Sequence, residues 1–528
     1  MPRLLPALAL FLLLAAPSWP ATVDDVYITL GYARHWADTG VLEWTTGERV
    51  EGYSNFAFMA AMAGLSRLGA DIDLCSQLLA LGCGAAIIAL AHRVLPRTPL
   101  GTIALLALAT WSPLNHWSMV GMETTLYALL LAGGWLLALR RDARGMALLA
   151  LAAITRPEGI AHVAVATALV GWRAWPALLA LCAYHAARVA YFEEWLPTPI
   201  LVKAASVGFT RHGLSQVAGD LIVAAGVLGA TFAAGRASRR DTICTIVPLA
   251  LQSLVLWRAS GDWMSWGRIT MPGVVATVVA YASVATRPWG ISKPPHAGAP
   301  SASGRRMLTG LAVVPALAFA LFVPRGYGTF DIQLRDLAAV ARFPAHFTHG
   351  LDTPVAEDFA WAIDNVPTGA RVLVVDAGML GDVPGVHAID MRGLTHRPAA
   401  EAVARREGEA WLRDTLAADP PEFMRLATWP GEAPPEYPGW MLAPYVLRDT
   451  VRYGGGESRW YAVDHATPSA SERAARWDEM LLRHPSHPFL WLAASRSAGL
   501  AGDPVRAESL RAAAAARWPR MAEFAVSP

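Results

Sequence analysis

The chain has 528 residues, of which 54% are hydrophobic and 16% charged, and its mean hydropathy is positive. That excludes disorder and argues against an ordinary soluble enzyme, since average chains carry about 25% charged residues. Its 44 Lys and Arg against 42 Asp and Glu leave a net charge of +2, with no basic footprint for nucleic acid, but residues 1–323 hold 23 basic and 16 acidic side chains (+7) and residues 324–528 hold 21 and 26 (−5).

In chain order, charge-poor apolar runs fall at about 4–20, 74–92, 100–112, 123–139, 145–155, 159–171, 174–192, 216–234, 242–257, 269–286 and 307–323. Several are shorter than the ~20 residues that cross a bilayer alone, but a bundle tolerates broken helices because neighbours satisfy the freed backbone groups. The first run, behind Arg3, has the look of a signal peptide, yet Pro17-Ser18-Trp19-Pro20 is a poor cleavage site and further spans follow, so it reads as a retained helix. With eleven spans and the N-terminus inside, the inner loops collect fourteen basic residues against two acids, Asp142 and Asp241. That bias fixes orientation. The expectation is a polytopic α-helical membrane protein of about 11 transmembrane helices over residues 1–323, with its first outer loop at 21–73 and residues 324–528 outside the cytoplasm. The four cysteines, Cys75, Cys83, Cys182 and Cys244, all lie in apolar runs and indicate neither a disulfide framework nor a metal site.

The unusual polar residues sort to the outer face of this map. They are Asp24-Asp25-Val26-Tyr27, Arg34-His35-Trp36, and Glu48 through Asn55 with Glu51 and Tyr53 between. Further along come Gly121-Met122-Glu123, Thr155-Arg156-Pro157-Glu158-Gly159, Pro197-Thr198-Pro199 with Lys203, and Gly261-Asp262-Trp263 through Gly267-Arg268. Ionisable groups at a membrane boundary are functional candidates. A carboxylate there can take a proton from an acceptor hydroxyl as general base, and Arg or Lys can stabilise charge developing on a phosphate leaving group. Each motif has a structural alternative. Tyr27, Trp36, Trp44, Tyr53, Trp263 and Trp266 can stack on sugars or anchor at an interface. Glu51, Glu158 and Arg156 can be structural ion pairs, and Asp24-Asp25 can cap a helix.

The run Asp24-Asp25-Val26-Tyr27-Ile28, Tyr32-Ala33-Arg34 and Gly47-Glu48-Arg49-Val50-Glu51-Gly52-Tyr53-Ser54-Asn55-Phe56 resembles the first periplasmic loop of bacterial GT-C glycosyltransferases. It is similar, more narrowly, to the mycobacterial terminal β-(1→2)-arabinofuranosyltransferase family. Gly121-Met122-Glu123-Thr124-Thr125, Thr155 through Gly159, and Gly261-Asp262 with Gly267-Arg268 match further stretches in the same order, together covering most of 20–325. The resemblance implies a GT-C fold, a polyprenyl-phosphate sugar donor such as an arabinofuranose, and a cell-envelope glycan or glycolipid acceptor, with the protein in a bacterial inner membrane and its C-terminal part periplasmic. It places the catalytic carboxylate at Asp24 or Asp25 and phosphate contacts at Arg156, Lys203 and Arg268. Tyr27, Arg34, Glu51, Tyr53, Asn55, Glu158 and Asp262 then line the substrate. One departure is that relatives often read Pro-Asn-Thr followed by aromatics before the lysine, where this chain has Pro197-Thr198-Pro199-Ile200. No cofactor is required by a lipid monophosphate donor, although one or two of the acids are able to hold Mg²⁺ or Ca²⁺ through oxygen ligands.

Beyond the apolar half, Arg371 through Asp376-Ala377-Gly378 reads as a buried strand running into a glycine turn, and His387 through Asp390-Met391-Arg392-Gly393-Leu394 follows it. A small α/β domain is expected over 324–464, with Asp376 or Asp390 as strand-end caps or ligands. Arg483-His484-Pro485 and Arg517-Trp518-Pro519 stand 34 residues apart, the tetratricopeptide period. Helices at about 470–483, 487–500 and 504–517 fit a tetratricopeptide-like tail over 465–528, which must pack on the α/β part or meet a protein partner. His484 and His487 are too few for a metal site.

Two other function classes compete with the enzyme. A transporter or flippase wants its acids at the helix middles rather than crowded at the boundary. ATP drive within this chain is excluded, since Lys203 and Lys293 are the only lysines and neither follows Gly. A non-catalytic envelope scaffold has no need of Asp24-Asp25 beside Arg156 and Arg268.

Overall fold

The structure, a computed structural model, describes residues 2–16, 23–45, 47–206, 217, 239–259, 264, 267–285, 352–375, 377–428, 437–453, 456–463 and 467–518. Asp262, Trp263, Trp266, Asp376 and the apolar run at 307–323 lie outside the described residues, as does the run at 216–234 apart from residue 217.

The first half contributes helices α1 (Leu4–Ala15), α2 (Asp24–Thr39), α3 (Phe56–Arg67), α4 (Ile72–Val94), α5 (Pro99–Ala109), α6 (Ser112–Trp117), α7 (Thr124–Ala138), α8 (Arg144–Thr155), α9 (Gly159–Val170), α10 (Trp175–Phe192), α11 (Thr198–Ser206), α12 (Arg239–Arg258) and α13 (Met271–Ala285). The eleven-span polytopic GT-C fold expected from the apolar runs is not what these residues form. Among the described residues two helical stretches are long and apolar enough to cross a bilayer, Ile72–Val94 (23 residues) and Gly159–Phe192 (34 residues). The second is interrupted by a 3₁₀ turn at Gly171–Ala174. The helices α1, α3, α7, α8 and α13 run only 12 to 15 residues. At ~1.5 Å per residue that is roughly 18–23 Å, short of a hydrocarbon core about 30 Å thick. The reason is that an apolar run reports burial and not what buries it. In α7, Tyr127, Leu131 and Trp135 are wholly buried against α4, α8 and α13.

The second half folds as α14 (Asp352–Asn365), β1 (Arg371–Val374), β2 (His387–Asp390), α15 (Arg397–Ala404), α16 (Gly408–Ala418), β3 (Phe423–Thr428), α17 (Gly439–Leu442), β4 (Val446–Tyr453), β5 (Gly456–Ala462), α18 (Ala470–Arg483), α19 (Pro488–Leu500) and α20 (Pro504–Arg517). The five strands form one mixed sheet in the order β2-β1-β3-β5-β4. The apolar run Val372-Leu373-Val374 is buried on both faces because β1 lies between parallel neighbours, Val372 pairing with Ala388 on one side and Phe423 on the other. The strands β3, β5 and β4 continue antiparallel. On α14, Trp361 stacks on Trp460 of β5 with ring centroids 4.3 Å apart.

The last helices are fastened to this unit by buried polar groups. Arg476 of α18 donates to the carbonyls of Pro384 and Ile363 at 2.9 and 3.1 Å, and Trp477 Nε1 donates to Asp364 at 3.0 Å. From α19, Ser497 donates to the same carboxylate.

The polar half is also laid across the first polar loop. Met379 meets Asp24, Gly381 meets Trp44, Asp382 pairs with Arg34, and His387 and His396 flank Glu48. Residues 379–397 thus cover the segment that carries the sequence motifs.

Candidate functional site

The helix α2 begins directly at Asp24. Its N-cap is Val23, which supplies no side-chain acceptor, so Asp24 and Asp25 both occupy the first turn. Negative charge is favoured there by the helix dipole. Asp24 Oδ1 accepts the backbone N–H of Met379 at 3.1 Å. The approach demands glycine at 378, where φ is 11° and a Cβ would come 1.9 Å from the Asp24 oxygens. Asp25 points elsewhere. Its Oδ2 lies 3.5 Å from Arg268 Nη1, and the Asp25 side chain keeps 31% of its surface exposed. Arg268 sits in the turn that precedes α13, opened by Gly267 at φ 59°.

A second group of charges is assembled from three more motifs. Pro157 forces Arg156 out of the helical region, and Arg156 ends α8 with φ −151° and ψ 132°. Its guanidinium then bridges Glu123 at 2.6 Å and Glu158 at 2.5 Å, and lies 6.0 Å from the centroid of the Tyr127 ring. Glu123 reaches this point because Gly121 turns the chain at φ 80°, packed where a Cβ would strike Ser76 Oγ at 2.7 Å. Asn55, at the N-terminus of α3, donates to Glu123 and to Thr29 of α2, each at 2.9 Å. Burial works against the Glu158 carboxylate, but Arg156, with Arg268 adding to it, outweighs burial and holds Glu158 below the usual carboxylate value. Asp25, Arg268, Glu158, Arg156, Glu123 and Asn55 thus form one charged patch beside the start of α2, drawn from five separated segments. Carboxylate and guanidinium alternate along it, and the end at Asp25 is open.

The remaining predicted residues stand elsewhere. Arg34, two and a half turns along α2 from Asp25, is buried and pairs with Asp73 of α4 at 2.5 Å and with Asp382. His484 Nδ1 lies 2.7 Å from Asp73 and its Nε2 3.2 Å from Asp382, which closes a ring of Arg34, His484 and two carboxylates. Tyr27 is buried edge-on to His484 at 5.7 Å, with His487 at 6.4 Å. Tyr53 is buried against Tyr32 and Phe192. Glu51 contacts Arg188 of α10 at 3.1 Å, and burial outweighs that cation and pushes its carboxyl up to about 8. Lys203 is exposed on α11. Thr198 donates its N–H and its hydroxyl to the Glu51 carbonyl at 3.1 and 3.0 Å. Asp390 accepts the N–H groups of Arg392 and Thr395 and so shapes the turn after β2.

Asp73, Arg188, Asp382 and His484 carry no sequence signal for these roles. Asp73 and Arg188 lie inside apolar helices, and Asp382 and His484 meet their partners only across the whole length of the chain. Among the described residues no group of three or more His, Cys, Asp or Glu side chains is placed to hold a metal ion. Comparison with known protein families, curated proteins and solved structures finds no match to this chain.

Proposed function

We propose that the protein is a glycosyltransferase acting at the plasma membrane, moving a sugar from a polyprenyl-phosphate donor to a cell-envelope glycan. Arabinofuranose is the sugar that the sequence resemblance implies. The observation that carries the reading is the pairing of the half-exposed Asp25 with Arg268, next to the Arg156 cluster, at the start of one helix. In the step, Asp25 takes the proton of the acceptor hydroxyl as that oxygen attacks the anomeric carbon. The bond from that carbon to the phosphate oxygen breaks, and the phosphate monoester leaves with its charge facing Arg268. A guanidinium suits this role because it is always charged and presents a fork of donors to phosphate. Asp24, held by Met379, fixes the start of α2 and so the direction in which Asp25 faces.

A polyprenyl tail stays in the bilayer, so the donor has to be met at its surface. Apolar surface is available around the α9–α10 junction, where Trp172, Trp175 and Leu179 are 78%, 55% and 60% exposed. Aromatic residues of this kind favour the membrane–water interface.

The test is transfer by the purified full-length chain in detergent, offered decaprenyl-phosphoryl arabinose and, separately, polyprenyl-phosphoryl hexoses, with envelope glycan as acceptor. Transfer from one donor, lost on Asp25→Asn and on Arg268→Gln in folded protein, supports the reading. Transfer from none by folded protein, or full activity in both variants, overturns it.

A further inference from the structure

A cleft of about 740 Å³ opens between the first loop, the C-terminal end of α10 and the start of α15. Ligand sites commonly measure roughly 300–1,000 Å³. Most of the charges around the cleft are already engaged. Glu43 holds His35 and the N–H of Gly47. Glu48 is flanked by His387 and His396, whose hydrogen bonds outweigh burial and bring its carboxyl down to about 2. Arg397 is taken by Glu194 and by the Phe192 carbonyl.

Two side chains remain. Arg49 is exposed, lies 5.5 Å from the centroid of the Tyr191 ring, and has no carboxylate partner among the described residues. Glu193 also lines the cleft, is exposed, and has no cationic partner among the described residues. Glu193 is also where α10 ends in the left-handed region, at φ 60°. Glycine is the usual residue at that position, and any L side chain there is strained. Strain at a residue whose charge is left unpaired in a cleft is ground for a functional hypothesis.

We infer that this cleft binds a neutral glycan chain. A ligand here has to accept hydrogen bonds from Arg49 and donate them to Glu193 at once. The hydroxyl groups of a sugar do both, while Val41 and Pro398, which also line the cleft and are not buried, offer apolar surface to its C–H face. Acids and bases around the cleft nearly balance, which disfavours a polyanion or a bare cation. The cleft is tied to the charged patch through α2, since Tyr32 donates to the Val50 carbonyl at 2.6 Å. Tyr32 stands seven residues after Asp25, which is about 10 Å along the helix axis at ~1.5 Å per residue. An oligosaccharide lying in the cleft thus sits on a loop that is hydrogen-bonded to the helix carrying Asp25. That it is the acceptor rests on the transfer proposed above, whereas the binding itself does not.

Binding is measured by calorimetry on the full-length chain in detergent, with an arabinofuranose hexasaccharide, a neutral glucan hexasaccharide, and polyglutamate and polylysine peptides as probes. A neutral oligosaccharide is expected to bind, at least tenfold more weakly to Arg49→Ala and to Glu193→Gln. Glu193→Gly is expected to weaken binding equally while raising the melting temperature, because glycine relieves the left-handed strain. A purely structural Glu193 cannot give that combination. Binding unchanged in all three variants, binding of the charged peptides alone, or no oligosaccharide binding overturns the inference. Glycan binding with no transfer from any donor leaves it standing and removes the transfer reading instead.

Discussion

Two charged clusters lie on the same helix and differ in closure. At the start of α2, Asp25 faces Arg268 at 3.5 Å with 31% of its side chain exposed, and the patch stays open to a ligand. Nine residues on, Arg34 meets Asp73, Asp382 and His484 in a ring where no side chain exceeds 8% exposure. The residue types are nearly the same. What separates them is that the ring has a partner for every charge and is sealed by α18, whereas Asp25 keeps a free face. A buried ion pair holds two surfaces in register, while a half-exposed one leaves room for a substrate to enter.

Replacing one acid in each cluster breaks the comparison most sharply. Asp25→Asn is expected to lower the rate of sugar transfer by ~10²–10⁴-fold, the range for loss of a general base, with the melting temperature unchanged. Asp382→Asn is expected to act through stability. It leaves Arg34 and His484 with one carboxylate between them, and breaking a buried pair from one side costs about 3–5 kcal/mol, read by denaturant unfolding. An Asp382→Asn protein as stable as the parent removes the ring from its structural role.

A smaller effect is expected at the joint between the clusters. Gly378→Ala places a methyl group on the Asp24 carboxylate, and overpacking of this kind costs about 1–3 kcal/mol. Hydrogen exchange at the Met379 amide is the direct readout, because that N–H is bonded to Asp24. Faster exchange there, with the β1 amides unaffected, shows that the hydrogen bond to Asp24 is broken while the sheet stays intact. Unchanged exchange at Met379 means that Asp24 does not hold this turn.

These clusters were legible in the sequence to very different degrees. The motifs at 24–25, 121–123, 155–158 and 267–268 stand out because short polar runs are conspicuous in an apolar chain, and the structure brings all four together. The tail helices show as clearly, since the α18 and α20 segments both run into Pro-containing motifs, Arg483-His484-Pro485 and Arg517-Trp518-Pro519, 34 residues apart. Arg34 shows in the sequence, but its partners do not. Asp382 and His484 lie 348 and 450 residues away, and no local pattern encodes such a pairing. The eleven spans fail for a related reason. Hydropathy records that Trp135 and Leu149 avoid water, but helix–helix packing satisfies that as well as lipid does.

The last expected effect is a pH slope that belongs to Glu51. Its carboxyl is raised from 4.5 to about 8, mainly by burial. Between those two values the folded protein binds the proton more tightly than the unfolded chain does, so stability falls as pH rises across that window. His484 adds a loss of the same sign. Burial and Arg34 lower its pKa, but Asp73 and Asp382 outweigh them, and the value rises above the ordinary 6.5. The stabilisation from His484 is therefore complete below pH 6.5 and disappears as the pH climbs through the raised value. Asp382 has the opposite sign. Arg34 and His484 outweigh burial and keep its pKa below 3.8, so its contribution is present above pH 3.8 and is lost as the pH falls further below it. Melting temperatures of the parent and of Glu51→Gln, followed from pH 5 to pH 8.5, separate the two alkaline losses. The variant is expected to keep the His484 fall above pH 6.5 and to lose the part that begins near pH 4.5. Identical slopes in the two proteins mean that Arg188 keeps Glu51 charged throughout, and Glu51 then belongs with the sealed ring as a structural ion pair.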